Sequence, residues 1–266
     1  MIAATPTAAP RRPFAANWTA RLLWTALLLY VIHACGIIDV SWERFVRGLD
    51  NGARFLGRMF PPDFSARKLE LLRVGLLESM QIAVLSTAAG VILSLPLGLL
   101  AARNLMPGWV AWTARAVIAL CRSFHPVITA ILFVKAVGFG ALAGVLALVL
   151  ASMGFISKLF AEAIEEMSLK QVEGVRATGA GFFNVLIMGV LPQVNARFVG
   201  FCVYQLDSNL RNSTMVGIVG GGGIGATLFT AYQRFDYDFV LTILLAIIAV
   251  IMFAEIVSAQ VRKAFQ

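Results

Sequence analysis

Six apolar runs, each close to the length of a bilayer crossing, leave this chain few ways to fold. A hydrocarbon core takes about 20 helical residues to cross, and within it every backbone donor and acceptor must find a partner in the protein. The runs cover residues 18–38, 74–101, 109–137, 139–160, 194–215 and 239–259. The second is long enough to tilt and carries Pro96, which predicts a kink. The third is interrupted from Arg122 to Pro126. The expectation is an all-α membrane protein, a polytopic bundle of about six transmembrane helices.

Composition agrees. With 59% hydrophobic and 14% charged residues, the chain is too apolar for a water-soluble globule of 266 residues. The net charge of +8 therefore reads as Lys and Arg anchoring helices at one membrane face. Arg11, Arg12 and Arg21 precede the first run, and Arg103 follows the second. Lys158, Lys170, Arg176 and Arg197 surround a central polar loop, while Arg262 and Lys263 close the chain. With six spans all of these share one side, which the positive-inside rule makes cytoplasmic together with both termini. The Arg-rich segment 42–73 lands outside and runs against the rule. No basic stripe with interleaved aromatics stands outside the apolar runs, so lipid is a predicted partner and nucleic acid is not.

Other classes fall away on motif grounds. Cys35, Cys121 and Cys202 lie singly in apolar runs and read as small buried hydrophobes. His33 and His125 are the only histidines, too few for a zinc or di-iron site. Arg11-Arg12 before an apolar run, and Ile32-His33-Ala34-Cys35, resemble processing signals. Further spans and the ill-fitting His33 favour an uncleaved first helix. There is no P-loop, GxSxG or HExxH, so the chain is not expected to hydrolyse ATP or a substrate.

In segment 42–60, Trp42, Phe45, Leu49, Ala53, Leu56 and Phe60 recur at helical spacing, with Arg44, Arg47, Asp50, Arg54 and Arg58 off that stripe. Pro61-Pro62 stops it. This is either an interfacial helix on the outer membrane surface or a short helix packed on the bundle. Residues 1–70 thus form a tail, a first transmembrane helix and this external helix. Residues 71–266 form the core.

A charged segment at about 165–192 interrupts the core. Ser168 and Gln171 form a capping box that opens a helix, and Gly179 can close it in the left-handed conformation. Phe182, Phe183, Val185 and Leu186 then make a second amphipathic turn before Leu191-Pro192. Apolar side chains on a water-facing hairpin call for a partner's groove. The alternative is a re-entrant loop folded back on its own bundle.

The spacing of Glu173, Gly179, Leu191 and Pro192 resembles the cytoplasmic coupling loop of ABC importer permeases. Gly174 and Val175 stand where that family carries two alanines, and Gly189 where it carries Ile. From about residue 71 onward the chain is most similar to phosphonate-type permeases. Ala102-Arg103-Asn104, the run from Leu159 to Glu166, Glu173 to Ala180, Leu191-Pro192-Gln193, and Asp207, Asn209, Arg211 and Thr214 carry that likeness. Methionine-type permeases share the glycine run and a Tyr-Gln-Arg-Phe like Tyr232 to Phe235. Arg122-Ser123-Phe124-His125-Pro126 departs from the phosphonate pattern, so phosphite and hypophosphite stand beside phosphonate as cargo.

The resemblance implies a type I ABC importer permease in the bacterial inner membrane. Glu173, Gly174, Arg176, Ala177, Gly179, Ala180, Phe182, Leu191 and Pro192 would engage an ATPase. Partners would be a second permease subunit, identical in a homodimer, two ABC ATPase subunits and a periplasmic substrate-binding protein. ATP and Mg would be bound by the ATPases, leaving this chain without a cofactor.

Several polar residues are candidates for the path or its gate. Arg122 falls mid-span, where a charge is costly unless it faces protein or water. It either lowers the barrier for an oxyanion or ties helices together through carbonyls or Asp207. Ser123 and His125 lie beside it. Asp207 and Arg211 share a helix face, and with Asn209 and Thr214 they line a pore or form an internal salt bridge. Gly221 and Gly222 belong to a run with a GxGxxG match but no βαβ context. That run is either a flexible loop closing the outer mouth or a plain tight turn. An intramembrane enzyme using Arg122, His125, Asp207 and Arg211 on a phosphate-bearing lipid, and an ion channel, are the competing functions.

Overall fold

The computed structural model describes residues 18–37 and 41–265, so expectations for Arg11, Arg12 and the N-terminal tail lie outside the described residues. Contacts divide the chain into units Met1–Gly57 and Arg58–Gln266. The first holds α1 (Trp18–Ile37) and most of α2 (Trp42–Met59). On α2 the charges form i,i+4 pairs, Arg47 with Glu43 and Arg54 with Asp50. Such pairs support a solvated helix face modestly.

The second unit holds α3 (Ala66–Ala101), α4 (Gly108–Ser123), α5 (Pro126–Val137), α6 (Ala141–Glu165), α7 (Leu169–Ala177), α8 (Phe182–Val185), α9 (Leu191–Ile218), α10 (Ile224–Gln233) and α11 (Tyr237–Phe265). Among the described residues five helical stretches are long and apolar enough to cross a membrane. The bent pair α4–α5 makes a sixth if it counts as one span.

Close packing of small residues holds this unit together. Lipid tails are as apolar as Leu, so helices in a bilayer associate by van der Waals fit and hydrogen bonds. Gly75, Ser79, Ala83, Ser86, Gly90, Ser94, Gly98 and Ala101 recur along the buried face of α3. They let α6 approach so closely that a methyl on Gly90 would stand 2.5 Å from Ser152 Cβ, and one on Gly98 2.8 Å from the Phe160 ring. Ser157 Oγ donates across the same seam to the Ser94 carbonyl at 3.3 Å.

The structure departs from the sequence reading in several places. The second span begins eight residues early, because Lys68, Glu70 and Arg73 extend its helix beyond the apolar run, Arg73 pairing with Glu70 at 2.8 Å. Pro96 sits inside that helix, which continues to Ala101. The third run is two helices meeting at 88°. Pro126 has no N–H to donate backwards, so it opens α5 at its first turn. A short helix, α10, follows the glycine run in addition to the six expected spans.

Candidate functional site

The polar segment after α6 folds as a hairpin. Ser168 caps α7 with an extended backbone, but its side chain makes no capping bond, so the predicted capping box is not formed. Gln193 from α9 takes that place: its side-chain amide donates to the Ser168 carbonyl at 3.3 Å and accepts from the Ser168 N–H at 3.2 Å. Helix α7 stops where expected. Thr178 ends it, and Gly179 turns the chain at φ +77, a left-handed value that a Cβ would strain.

The return limb holds more helix than the sequence suggested. After α8 the backbone winds into a π-turn over Leu186–Val190, with the Leu191 N–H reaching back five residues to the Leu186 carbonyl. Pro192 explains the widening. It lacks an N–H and its ring crowds the Met188 carbonyl four residues back. Gln193 Nε2 then donates to the Gly189 carbonyl at 2.6 Å. Residues 182–218 thereby form one run, so the hairpin's second limb is continuous with the fifth span.

One face of the hairpin is glued to the span ends. Val172, Val185, Val190 and Val194 bury themselves with Ala102, Phe160, Ala163 and Ile164. Salt bridges brace its base: Arg197 to Glu166 and Arg115 to Glu165, both at 2.7 Å. Glu165 also accepts from the Arg103 N–H at 2.7 Å, and Asn104 donates to the Ile164 carbonyl at 2.7 Å. The opposite face is bare. Glu173, Gly174, Arg176, Ala177, Gly179 and Phe182 are exposed, as are Phe183 (74%), Ile187 (52%) and Met188 (70%). Ala180 and Leu191 turn partly inward, and Pro192 is exposed. A charged rim around four bulky apolar side chains is the composition of a protein contact.

The other candidates fall into two groups on either side of α6. Asn209 is fully buried, donating to Thr87 Oγ1 at 2.9 Å and Ser152 Oγ at 2.8 Å and accepting from Gln205 at 3.0 Å. That network pins α3, α6 and α9 together inside the chain. Asp207 pairs with Arg211 rather than Arg122, and its buried Oδ1 has no partner among the described residues.

The glycine run packs beside the end of α9. A Cβ on Gly221 would strike Val216, and one on Gly222 (φ +77) would stand 2.7 Å from Glu78 Oε1. A Cβ on Gly225 would strike the Thr214 carbonyl. Ser79 Oγ accepts from the Ile224 N–H at 2.9 Å, and the Gly220 carbonyl accepts from Gly140. The loop is packed closely between helices, which favours the tight turn of the two readings. Glu78 brings a carboxylate against Gly222.

On the opposite flank, Ser123 donates to the Leu120 carbonyl at 2.7 Å. His125 caps α5 by accepting from the Val127 N–H at 3.3 Å. The Arg122 side chain makes no hydrogen bond or ion pair among the described residues, and its stem crosses Gly154, where a methyl would stand 2.9 Å from Cγ. The missed bracing residues, Gln193, Glu165, Arg115 and Glu166, meet partners far away in sequence, so no local pattern reports them.

Comparisons with known proteins agree on one family. Residues 94–265 match the model of the binding-protein-dependent transport system inner membrane component. The chain is similar to the phosphite transport system permease protein PtxC of Stutzerimonas stutzeri, 38% identical over 260 residues, covering 96% of this chain and 93% of that one. It is similar also to the phosphate-import permease protein PhnE of Mycolicibacterium smegmatis, 41% identical over 229 residues, covering 85% of this chain but 42% of the relative's length. Among solved structures, an inward-facing form of the MetNI methionine ABC transporter aligns at a TM-score of 0.68 and 22% identity, covering 76% of this chain and 100% of the aligned one. At that identity the likeness concerns the fold alone.

Proposed function

The chain belongs to the family of binding-protein-dependent transport system inner membrane components, and from that premise we propose that it is the membrane-spanning subunit of an ATP-driven importer for a small phosphorus oxyanion. Phosphonate, phosphite and hypophosphite are the candidate cargoes. Similarity to permeases named for phosphite and phosphate supports that class. The observation that carries the reading is the hairpin, braced to three span ends on one face and bare on the other.

In this reading two such chains pair as a homodimer in the bacterial inner membrane, with both termini cytoplasmic. Each hairpin seats in a separate ATPase subunit, which binds the ATP and Mg. Closure of the ATPases pulls the hairpins, and because α8 runs unbroken into α9, the pull reaches the spans directly. The helices rock from inward- to outward-facing, and a periplasmic binding protein delivers its ligand. ATP hydrolysis then resets the path. The chain supplies the route and the lever and performs no bond chemistry.

Co-expression with the partner ATPase and binding protein, followed by reconstitution in proteoliposomes, tests this. Phosphite or a short alkylphosphonate should accumulate only with ATP and the binding protein present. Accumulation without ATP, or none with every component present, would refute the assignment.

A further inference from the structure

On the flank of α6 opposite the Asn209 network, a cleft of about 160 Å³ is walled by Arg115, Arg122, Lys158 and Glu162 over a floor that includes Ala101 and Ala161. Arg122 crosses α6 at Gly154, near the midpoint of that helix. Lys158 and Glu162 follow one and two turns nearer the hairpin, and Arg115 lies at the same end, bound to Glu165 and donating Nε–H to the Ala101 carbonyl at 2.9 Å. The cleft therefore runs from mid-membrane to the hairpin end.

Its charges do not cancel. Lys158 pairs with Glu162 at 3.4 Å and Arg115 with Glu165 at 2.7 Å, which leaves the Arg122 guanidinium as the excess cation. A guanidinium near mid-span is costly against hydrocarbon and such residues face protein or a water-filled cavity, so the open side of the cleft is read as meeting water or protein. The break between α4 and α5 supports this, since it ends α4 at the turn that carries Arg122.

Resting on the import reading, we propose that this cleft is a holding site for the phosphorus oxyanion in transit, with Arg122 as its principal ligand and Lys158 as the next on the way out. A guanidinium fork matches two oxygens of a tetrahedral oxyanion. Lys158 can exchange Glu162 for the anion, because their 3.4 Å separation marks a loose pair on a half-exposed surface. The anion would then pass toward Arg115 and the hairpin end.

Phosphite is the probe, in the reconstituted complex with ATPase and binding protein. Arg122→Gln should lower ATP-driven phosphite uptake roughly tenfold or more, while ATPase stimulation by loaded binding protein stays within about twofold. Arg122→Lys, which keeps the charge but not the fork, should recover part of the uptake. In a background lacking Cys35, Cys121 and Cys202, Arg122→Cys should react with a membrane-impermeant thiol reagent, and phosphite should slow that reaction. Unchanged uptake in Arg122→Gln overturns the proposal. So does equal loss of ATPase and uptake that Arg122→Lys fails to repair, which marks a structural arginine, and so does a thiol at 122 that never reacts. Absence of ATP-driven uptake by the unaltered complex refutes the import reading instead, and is seen before any variant is made.

Discussion

The side-chain amide of Gln193 pairs with both backbone groups of Ser168, joining the start of α9 to the start of α7 by two hydrogen bonds across 25 residues of chain. A third bond from the same nitrogen braces the Gly189 carbonyl inside the π-turn. One residue thus fixes both limbs of the hairpin to the span that continues it. Gln193→Met keeps the length and removes all three bonds. At about 1 kcal/mol net for each bond, and with the Ser168 groups free to find water, amide exchange across α7 should speed by about tenfold. Uptake per ATP hydrolysed should fall while membrane insertion is unchanged. Unaltered exchange in α7 would show that the valine cluster alone holds the hairpin.

The bare face makes a prediction of opposite character. Phe183 is 74% exposed and touches Phe182 edge to face at 5.8 Å, so Phe183→Ser should shift the stability of the isolated chain by about 0.5 kcal/mol or less. A buried aromatic anchor in an interface is worth about 2 kcal/mol or more. Co-purification of the ATPase should therefore weaken at least tenfold. Glu173→Gln should leave insertion and ATPase intact and lower uptake. Gly179→Ala carries about 1–2 kcal/mol of left-handed strain and should do the same. Normal uptake in vesicles carrying these variants would remove the hairpin from the coupling role.

Much of this was legible in the chain, and the reason is length. A run such as 239–259 has no use in a small soluble core, and its helix appears as Tyr237–Phe265. Gly179 was legible too, because only a residue without Cβ closes a helix cheaply at φ +77. What escaped depends on partners distant in sequence. Nothing local tells that Gln193 displaces the Ser168 cap, or that Asn209 meets Thr87 and Ser152. The glycine run left two readings open for a related reason: glycine content signals either freedom or close approach, and only Ser79, Glu78 and Val216 around it reveal close approach. Arg122 was placed at mid-depth by counting residues, but its lack of a carboxylate partner required three dimensions.

Two glycines separate these meanings by experiment. Gly225 lies against the Thr214 carbonyl, and an added methyl would also stand 2.9 Å from the Ile218 nitrogen, so backbone must move. Gly225→Ala should cost about 3 kcal/mol or more and lower the yield of folded protein. Gly174 sits within α7 with nothing within 4 Å of an added Cβ. Gly174→Ala should gain about 0.5–1 kcal/mol from helix propensity. Thermal unfolding of both variants in one detergent reads the difference. Equal midpoints would mean that the loop can shift away from α9.

The start of α3 is tied to the start of α11 through Asp63 and Lys68. The Lys68 ammonium lies 2.7 Å from carboxylates of both Asp63 and Asp236, and Thr242 Oγ1 donates to the Asp63 carbonyl at 3.0 Å. The hydrogen bond from Lys68, followed by one from the Ser65 N–H, holds the Asp63 carboxyl below its ordinary value of 3.8. A carboxyl lowered in the folded state stabilises that state fully above its unfolded value, and the contribution disappears as pH falls through the folded one. The unaltered chain should thus keep this contribution at pH 7 and lose it progressively below about pH 4. Asp63→Asn should abolish that part of the acid sensitivity while lowering the midpoint at pH 7. Thermal unfolding in detergent at pH 7, 5 and 3 compares the two chains, and parallel pH profiles would mean that the Lys68 contact contributes nothing to the junction of α3 and α11.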